Sequence, residues 1–167
     1  MFVLLTLLAL PLGLGGCFDS DYDIAHQLKP VRPISNGAYS GEGLKKDVTI
    51  SGDTYEARSP EDGDVTFLRF YRVPESDTYL IVQTWRRDDS HRFKYGYARV
   101  LPDKIDIFIA DHADLTYLDR LLKKAPRNSA TIADEIIDGP RDTLYVLREV
   151  LRHRPEMKKI LTYMRVS

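Results

Sequence analysis

From Gly37 to Ala110 the chain is a series of short β-prone runs, each ended by a turn former before it can grow into a helix. Val48 to Ile50 and Tyr55 flank Ser51-Gly52-Asp53, a turn-like tripeptide. Val65 to Val73 is rich in aromatic and β-branched residues, Pro74 to Asp77 interrupts it, and Thr78 to Trp85 alternates. Arg86 to Ser90 reads as a loop, Arg92 to Leu101 as a strand and Pro102-Asp103 as a turn, after which Lys104 to Ala110 places Ile105, Ile107 and Ile109 on one face. Strands this close in sequence leave no room for crossover connections, so they pair antiparallel with their neighbours.

After Asp111 the apolar period lengthens toward about 3.6 residues. Leu115, Leu118, Leu121 and Leu122 form a helical stripe with Asp114 as N-cap, Lys123 and Lys124 in the last turn and Pro126 beyond. Leu144, Leu147, Val150 and Leu151 form a second, with Pro140 at its first position, Asp142 in its first turn, Arg152 to Arg154 in its last and Pro155 after it. Ala130 to Ile137 fits either a strand or a short helix, and Lys159 to Val166 reads as a closing strand. The expected fold class is α+β: an antiparallel β meander of about five or more strands, open or partly closed into a barrel, with two C-terminal helices and a closing strand.

Met1 to Gly16 carries no charged side chain, and the apolar run Phe2 to Leu10 ends in Pro11 and three glycines. A membrane-spanning helix needs ~20 apolar residues, whereas a secretory leader needs fewer, followed by small residues at its cleavage site. Residues 1–16 therefore read as a signal peptide. At its end Leu14-Gly15-Gly16-Cys17 resembles the lipobox of bacterial lipoproteins, an aliphatic residue three positions before a cysteine with two small residues between. The resemblance implies cleavage before Cys17 by a signal peptidase of the second type, a diacylated thiol, and usually an acylated amino terminus.

Two or three acyl chains, at ~0.8 kcal/mol per buried methylene, hold a protein on a bilayer without a spanning helix. In that family an aspartate directly after the cysteine favours the inner membrane. Phe18 stands there, which implies a bacterial cell-envelope protein on the outer membrane, its folded part facing the periplasm. The leader departs from the pattern in having no Lys or Arg before the apolar run, which places the true start upstream or makes the leader a weak one. The plainer alternative for Cys17 is a small buried hydrophobe, but Gly16 and Phe18 to Asp21 show no helix or strand pattern that would bury it. As the single cysteine it has no intrachain disulfide partner.

Pro30, Pro33 and the lack of any apolar period make residues 17–36 read as a lipidated N-terminus and flexible tether. Residues 37–167 then form a single domain, long enough to bury a core without disulfides. Charge is nearly balanced at −1 overall, with an acidic N-terminal part and a basic C-terminal part. That split would let the basic end face anionic lipid or an acidic partner; a solvated helix face is the plainer explanation.

Signals for catalysis are sparse. Asp111-His112-Ala113-Asp114 follows a strand and offers imidazole beside carboxylates, but Asp114 already caps a helix and no second histidine stands at metal-ligand spacing. Ser90-His91 beside Asp88 and Asp89 holds triad residue types at positions too close in sequence to make triad geometry. There is no G-x-S-x-G elbow, no H-E-x-x-H and no phosphate-cradling glycine loop, so no metal or cofactor is implied.

The aromatic residues Phe67, Phe70, Tyr71, Tyr79, Trp85, Phe93, Tyr95 and Tyr97 crowd the middle strands. Trp85, Arg86, Arg87, Phe93, Tyr95 and Tyr97 make a candidate binding face; core packing is the alternative. Basic residues among aromatics also suit single-stranded nucleic acid, which an exported, slightly acidic chain argues against. The expectation is a lipid-anchored envelope protein that binds a protein partner or a small apolar ligand. Its rivals are a tethered hydrolase using Asp111 and His112, and a structural or assembly protein of the envelope.

Overall fold

The computed structural model describes residues 18–20, 23, 28–73, 76, 78, 80–88, 92–110, 140–153 and 157–166. Two short strands come first, β1 (Phe18–Ser20) and β2 (Pro30–Val31). A run of seven follows: β3 (Gly37–Gly41), β4 (Leu44–Ser51), β5 (Thr54–Arg58), β6 (Val65–Arg72), β7 (Leu80–Arg86), β8 (Phe93–Val100) and β9 (Lys104–Ala110). Helix α1 (Pro140–Arg152) precedes the last strand, β10 (Met157–Arg165).

Strands β3 to β10 pair in sequence order, each antiparallel to the next, and β10 returns to β3, so the meander closes into an eight-stranded barrel. The turns explain why neighbours pair. Gly41 lies opposite Leu44 with Glu42 and Gly43 between them, both at positive φ (50° and 81°), the requirement of a type I′ hairpin whose twist matches its strands. Between β4 and β5, Gly52 at φ 59° starts the two-residue loop. Leu101 N–H donates to the Lys104 carbonyl at 2.9 Å across the Pro102-Asp103 turn.

Alternation along the strands divides the apolar residues between two cores. Inward positions of all eight barrel strands, among them Tyr39, Val48, Tyr55, Phe70, Val82, Ala98, Ile107 and Leu161, fill the interior. Eight-stranded barrels are just wide enough either to be filled by side chains or to hold one small ligand, and here side chains fill it. On the outer wall Tyr71, Ile81, Tyr95, Tyr97 and Phe108 pack against Leu144, Leu147, Val150 and Leu151 of α1. Tyr97 O–H donates to the Leu147 carbonyl at 3.0 Å, which ties helix to wall.

Several expectations are met: the β7, β8 and β9 runs, the helix begun by Pro140, and the closing strand. The Leu115 to Leu122 stripe, Ala130 to Ile137, Cys17, Asp111 and His112 lie outside the described residues. Parts of the segment expected as a flexible tether are paired into the sheet. Phe18, Asp19 and Ser20 pair with Tyr95, Lys94 and Phe93, while Pro30 and Val31 pair with Tyr71 and Phe70. β1 occupies the edge of β8 beyond the last residue paired with β9, and β2 occupies the edge of β6 beyond the last paired with β5. Ile34 is buried in the interior, where its carbonyl accepts from Tyr55 O–H at 3.2 Å. Pairings of two and three residues are too short to leave a period, so the segment looks patternless in sequence although it completes the sheet edges.

Asp106, on the outer wall between β8 and β10, is wholly buried. Its carboxylate accepts from Thr162 Oγ1 at 2.7 Å and Arg99 Nη2 at 3.0 Å, with Lys104 and Lys159 Nζ each 3.8 Å away. Burial alone would raise its pKa, but these donors and cations together hold it below the ordinary aspartate value. A depressed folded pKa stabilises the fold above the unfolded value, ~3.9, and that contribution is lost as pH falls through the folded value. Asp106→Asn is therefore expected to lower the urea midpoint at neutral pH by an amount that shrinks below about pH 4. A deficit equally large in strong acid would show that charge is not what Asp106 contributes.

Candidate interaction surface

On the outer wall, β6, β7 and β8 stack their outward side chains in three rows. Tyr71 pairs with Ile81 and Ile81 with Tyr97; Arg69 pairs with Gln83 and Gln83 with Tyr95; Phe67 pairs with Trp85. The row with Tyr71 and Tyr97 lies under the helix and is buried. Farther from the helix the wall opens, and Phe67, Trp85 and Phe93 are each partly exposed.

These three rings form a continuous strip across three strands. Phe67 stacks on Trp85 at 5.7 Å between centroids and 24° between planes, and Trp85 meets Phe93 at 6.0 Å and 58°. Arginines lie over it: the Arg69 guanidinium carbon is 4.8 Å from the Trp85 centroid and that of Arg87 is 5.8 Å from Phe67. A cation over an aromatic face is held by the ring quadrupole, so the wall presents flat apolar area with fixed positive charge.

The middle row secures the strip from below. Gln83 is wholly buried, and its amide uses every group it has. Oε1 accepts from Tyr71 O–H at 3.0 Å, while Nε2 donates to Tyr95 Oη at 2.9 Å and Asp23 Oδ1 at 2.7 Å. Asp23 Oδ2 accepts from Arg69 Nη1 at 3.3 Å, and Arg69 Nε donates to Thr54 Oγ1 at 3.1 Å. A chain of bonds thus runs from the buried amide through Asp23 to the guanidinium lying on Trp85. Burial, against the pull of nearby Arg69, pushes the Tyr71 phenol up to about 12, so it stays a donor at neutral pH.

The structure brings only some residues of the expected binding face into the strip. Trp85, Arg87 and Phe93 belong to the strip, and Arg86 is turned toward the β5–β6 loop, where Nη2 pairs with Asp64 at 2.9 Å. Tyr95 and Tyr97 lie outside the strip: both are buried, at 1% and 0% exposure, in the cluster that α1 covers. Sequence reasoning names Phe67 among the crowded aromatic residues without placing it on the candidate face, and does not single out Arg69, Gln83 or Asp23. A glutamine directly after the apolar Leu80-Ile81-Val82 run is the one visible signal, since a polar side chain there needs buried partners.

At the barrel end where residues 33–35 cross, a depression of about 300 Å³ is bordered by Pro33, Tyr39, Asp103, Lys104 and Arg165. Arg165 already donates to the Asn36 carbonyl at 3.3 Å. Among the described residues no group of three or more His, Cys, Asp or Glu side chains is placed to hold a metal, and no helix is long and apolar enough to cross a membrane. No protein-family model matches the chain, and comparison with curated proteins and with solved structures returned no match.

Proposed function

We propose that this chain is a lipid-anchored protein of the bacterial cell envelope, held through acyl chains on Cys17 on the periplasmic side of the outer membrane, and that it works by binding rather than by catalysis. The anchor rests on the resemblance of Leu14 to Cys17 to a lipobox. The binding role rests on one observation: a partly exposed strip of Phe67, Trp85 and Phe93 with Arg69 and Arg87 over it, on a barrel whose interior is occupied by its own side chains. Aromatic rings with arginine are the residue types that contribute most to binding surfaces, because they combine large area with few rotamers to freeze. The Leu115 to Leu122 stripe, as a second helix beside α1, belongs to the same proposal.

Mass spectrometry of the N-terminal peptide from native membranes tests the anchor. The expected peptide begins at an acylated Cys17, and Cys17→Ser is expected to move the protein from the membrane to the soluble fraction or leave its leader uncut. An unmodified cysteine behind an intact leader in the native host would reject the anchor.

A further inference from the structure

We infer that the aromatic–arginine strip is the face this barrel lays on the membrane that anchors it, its partner being the anionic phospholipid headgroups beside Cys17. The inference rests on the proposed anchor and names the occupant of the surface described above.

Cys17 is joined directly to Phe18, and β1 runs from there antiparallel along β8 until Ser20 lies opposite Phe93, one ring of the strip. Three residues of strand cover about 10 Å. A headgroup layer is about 5–8 Å thick on each side of the hydrocarbon. At about 3.3 Å per residue along a strand and about 4.8 Å between strands, Phe93 and Trp85 lie about 10–15 Å from the residue that bears the acyl chains, between one and two headgroup layers. A free tether of twenty residues would have left the barrel's orientation undetermined; β1 pairing and the bonds from Asp23 to Gln83 and Arg69 hold the chain to this wall instead.

The chemistry of the wall suits that location. Tryptophan settles at membrane interfaces, where an apolar ring and a polar edge are both accommodated. Asp23 and Asp64 are paired with Arg69 and Arg86. Arg87, exposed and lying over Phe67, presents its guanidinium to an anionic headgroup.

Trp85 is the single tryptophan of the chain, so its emission reports on the strip alone. The test uses the full lipidated protein, purified from membranes and reconstituted into phosphatidylglycerol-containing vesicles with plain or brominated acyl chains. Bromine is expected to lower Trp85 emission about twofold, as for a ring at the interface, and iodide quenching is expected to be weaker than in detergent. Arg87→Glu, an exposed substitution whose folding is checked by circular dichroism, is expected to reduce the bromine effect by about half. Equal emission in the two kinds of vesicle, with iodide access unchanged, overturns the inference; the strip then meets solvent, a protein partner or residues 111–139. An acylated, vesicle-bound protein giving that result overturns this inference alone, whereas an unmodified Cys17 overturns it together with the anchor.

Discussion

Gly41→Ala is expected to destabilise the barrel by about 3 kcal/mol or more, because the added methyl has nowhere to go. Built on the existing backbone it would lie 1.9 Å from the Thr162 carbonyl oxygen, 2.9 Å from its carbon and 3.2 Å from Tyr163 Cα. All three are backbone atoms of β10, so no side-chain rotation relieves the overlap and one strand must move away from the other. This happens at the seam that closes the barrel, where Met164 opposite Ser40 and Arg165 opposite Tyr39 are the register pairs between β3 and β10. With so few pairs, displacing β10 removes much of what holds the seam, including the Val166 N–H bond to the Ala38 carbonyl at 2.8 Å.

Gly43→Ala is the control. Its methyl meets nothing within 4 Å, but φ is +81°, so the cost is conformational, about 1 kcal/mol. Urea unfolding of the two variants separates the effects, and hydrogen exchange should show residues 38–40 and 164–166 opening in Gly41→Ala alone. A Gly41→Ala cost no larger than that of Gly43→Ala would mean the seam is looser than this geometry.

The contrast between these glycines also shows which features the sequence makes legible. Glu42-Gly43 and Gly52-Asp53 act locally, through backbone angles, and a local signal is what a single sequence carries. Gly41 acts through a strand more than a hundred residues away, and no neighbouring residue announces that approach. The same division explains the rest of the fold. Ile105 and Ile107 alternate, and Pro140 starts a helix, because those features arise from periods and caps within one element. Closure of the barrel and the docking of residues 18–20 and 30–31 depend on edges left open by distant strands.

The candidate surface is legible to the same degree. Alternation correctly puts Phe93, Tyr95 and Tyr97 on one face, but says nothing of where along that face a helix lands. α1 buries the Tyr97 end and leaves the Phe93 end partly open, so one row of like residues has two environments. Arg69 and Asp23 are farther from sequence reasoning still. Their pairing requires both the β6–β7 register and a segment that shows no pattern of its own.

Gln83→Leu is expected to cost about 3 kcal/mol, although leucine has nearly the volume of glutamine and creates little cavity. What is lost is hydrogen bonding in a wholly buried place: Tyr71 O–H loses its acceptor, Tyr95 Oη loses a donor, and Asp23 loses its 2.7 Å bond from the amide. An orphaned buried polar group costs about 1–3 kcal/mol, while removing both partners of a bond can be nearly neutral. Hence Gln83→Leu combined with Tyr71→Phe should be less damaging than the two single costs added, by about 1 kcal/mol. The loss should also reach the surface. With Asp23 no longer bonded to the buried amide, the guanidinium over Trp85 is less firmly placed, and iodide should quench Trp85 more readily in folded Gln83→Leu protein than in the wild type. Strictly additive costs with unchanged quenching would mean that the buried amide supports the core alone, and that the strip above it is positioned independently of the network.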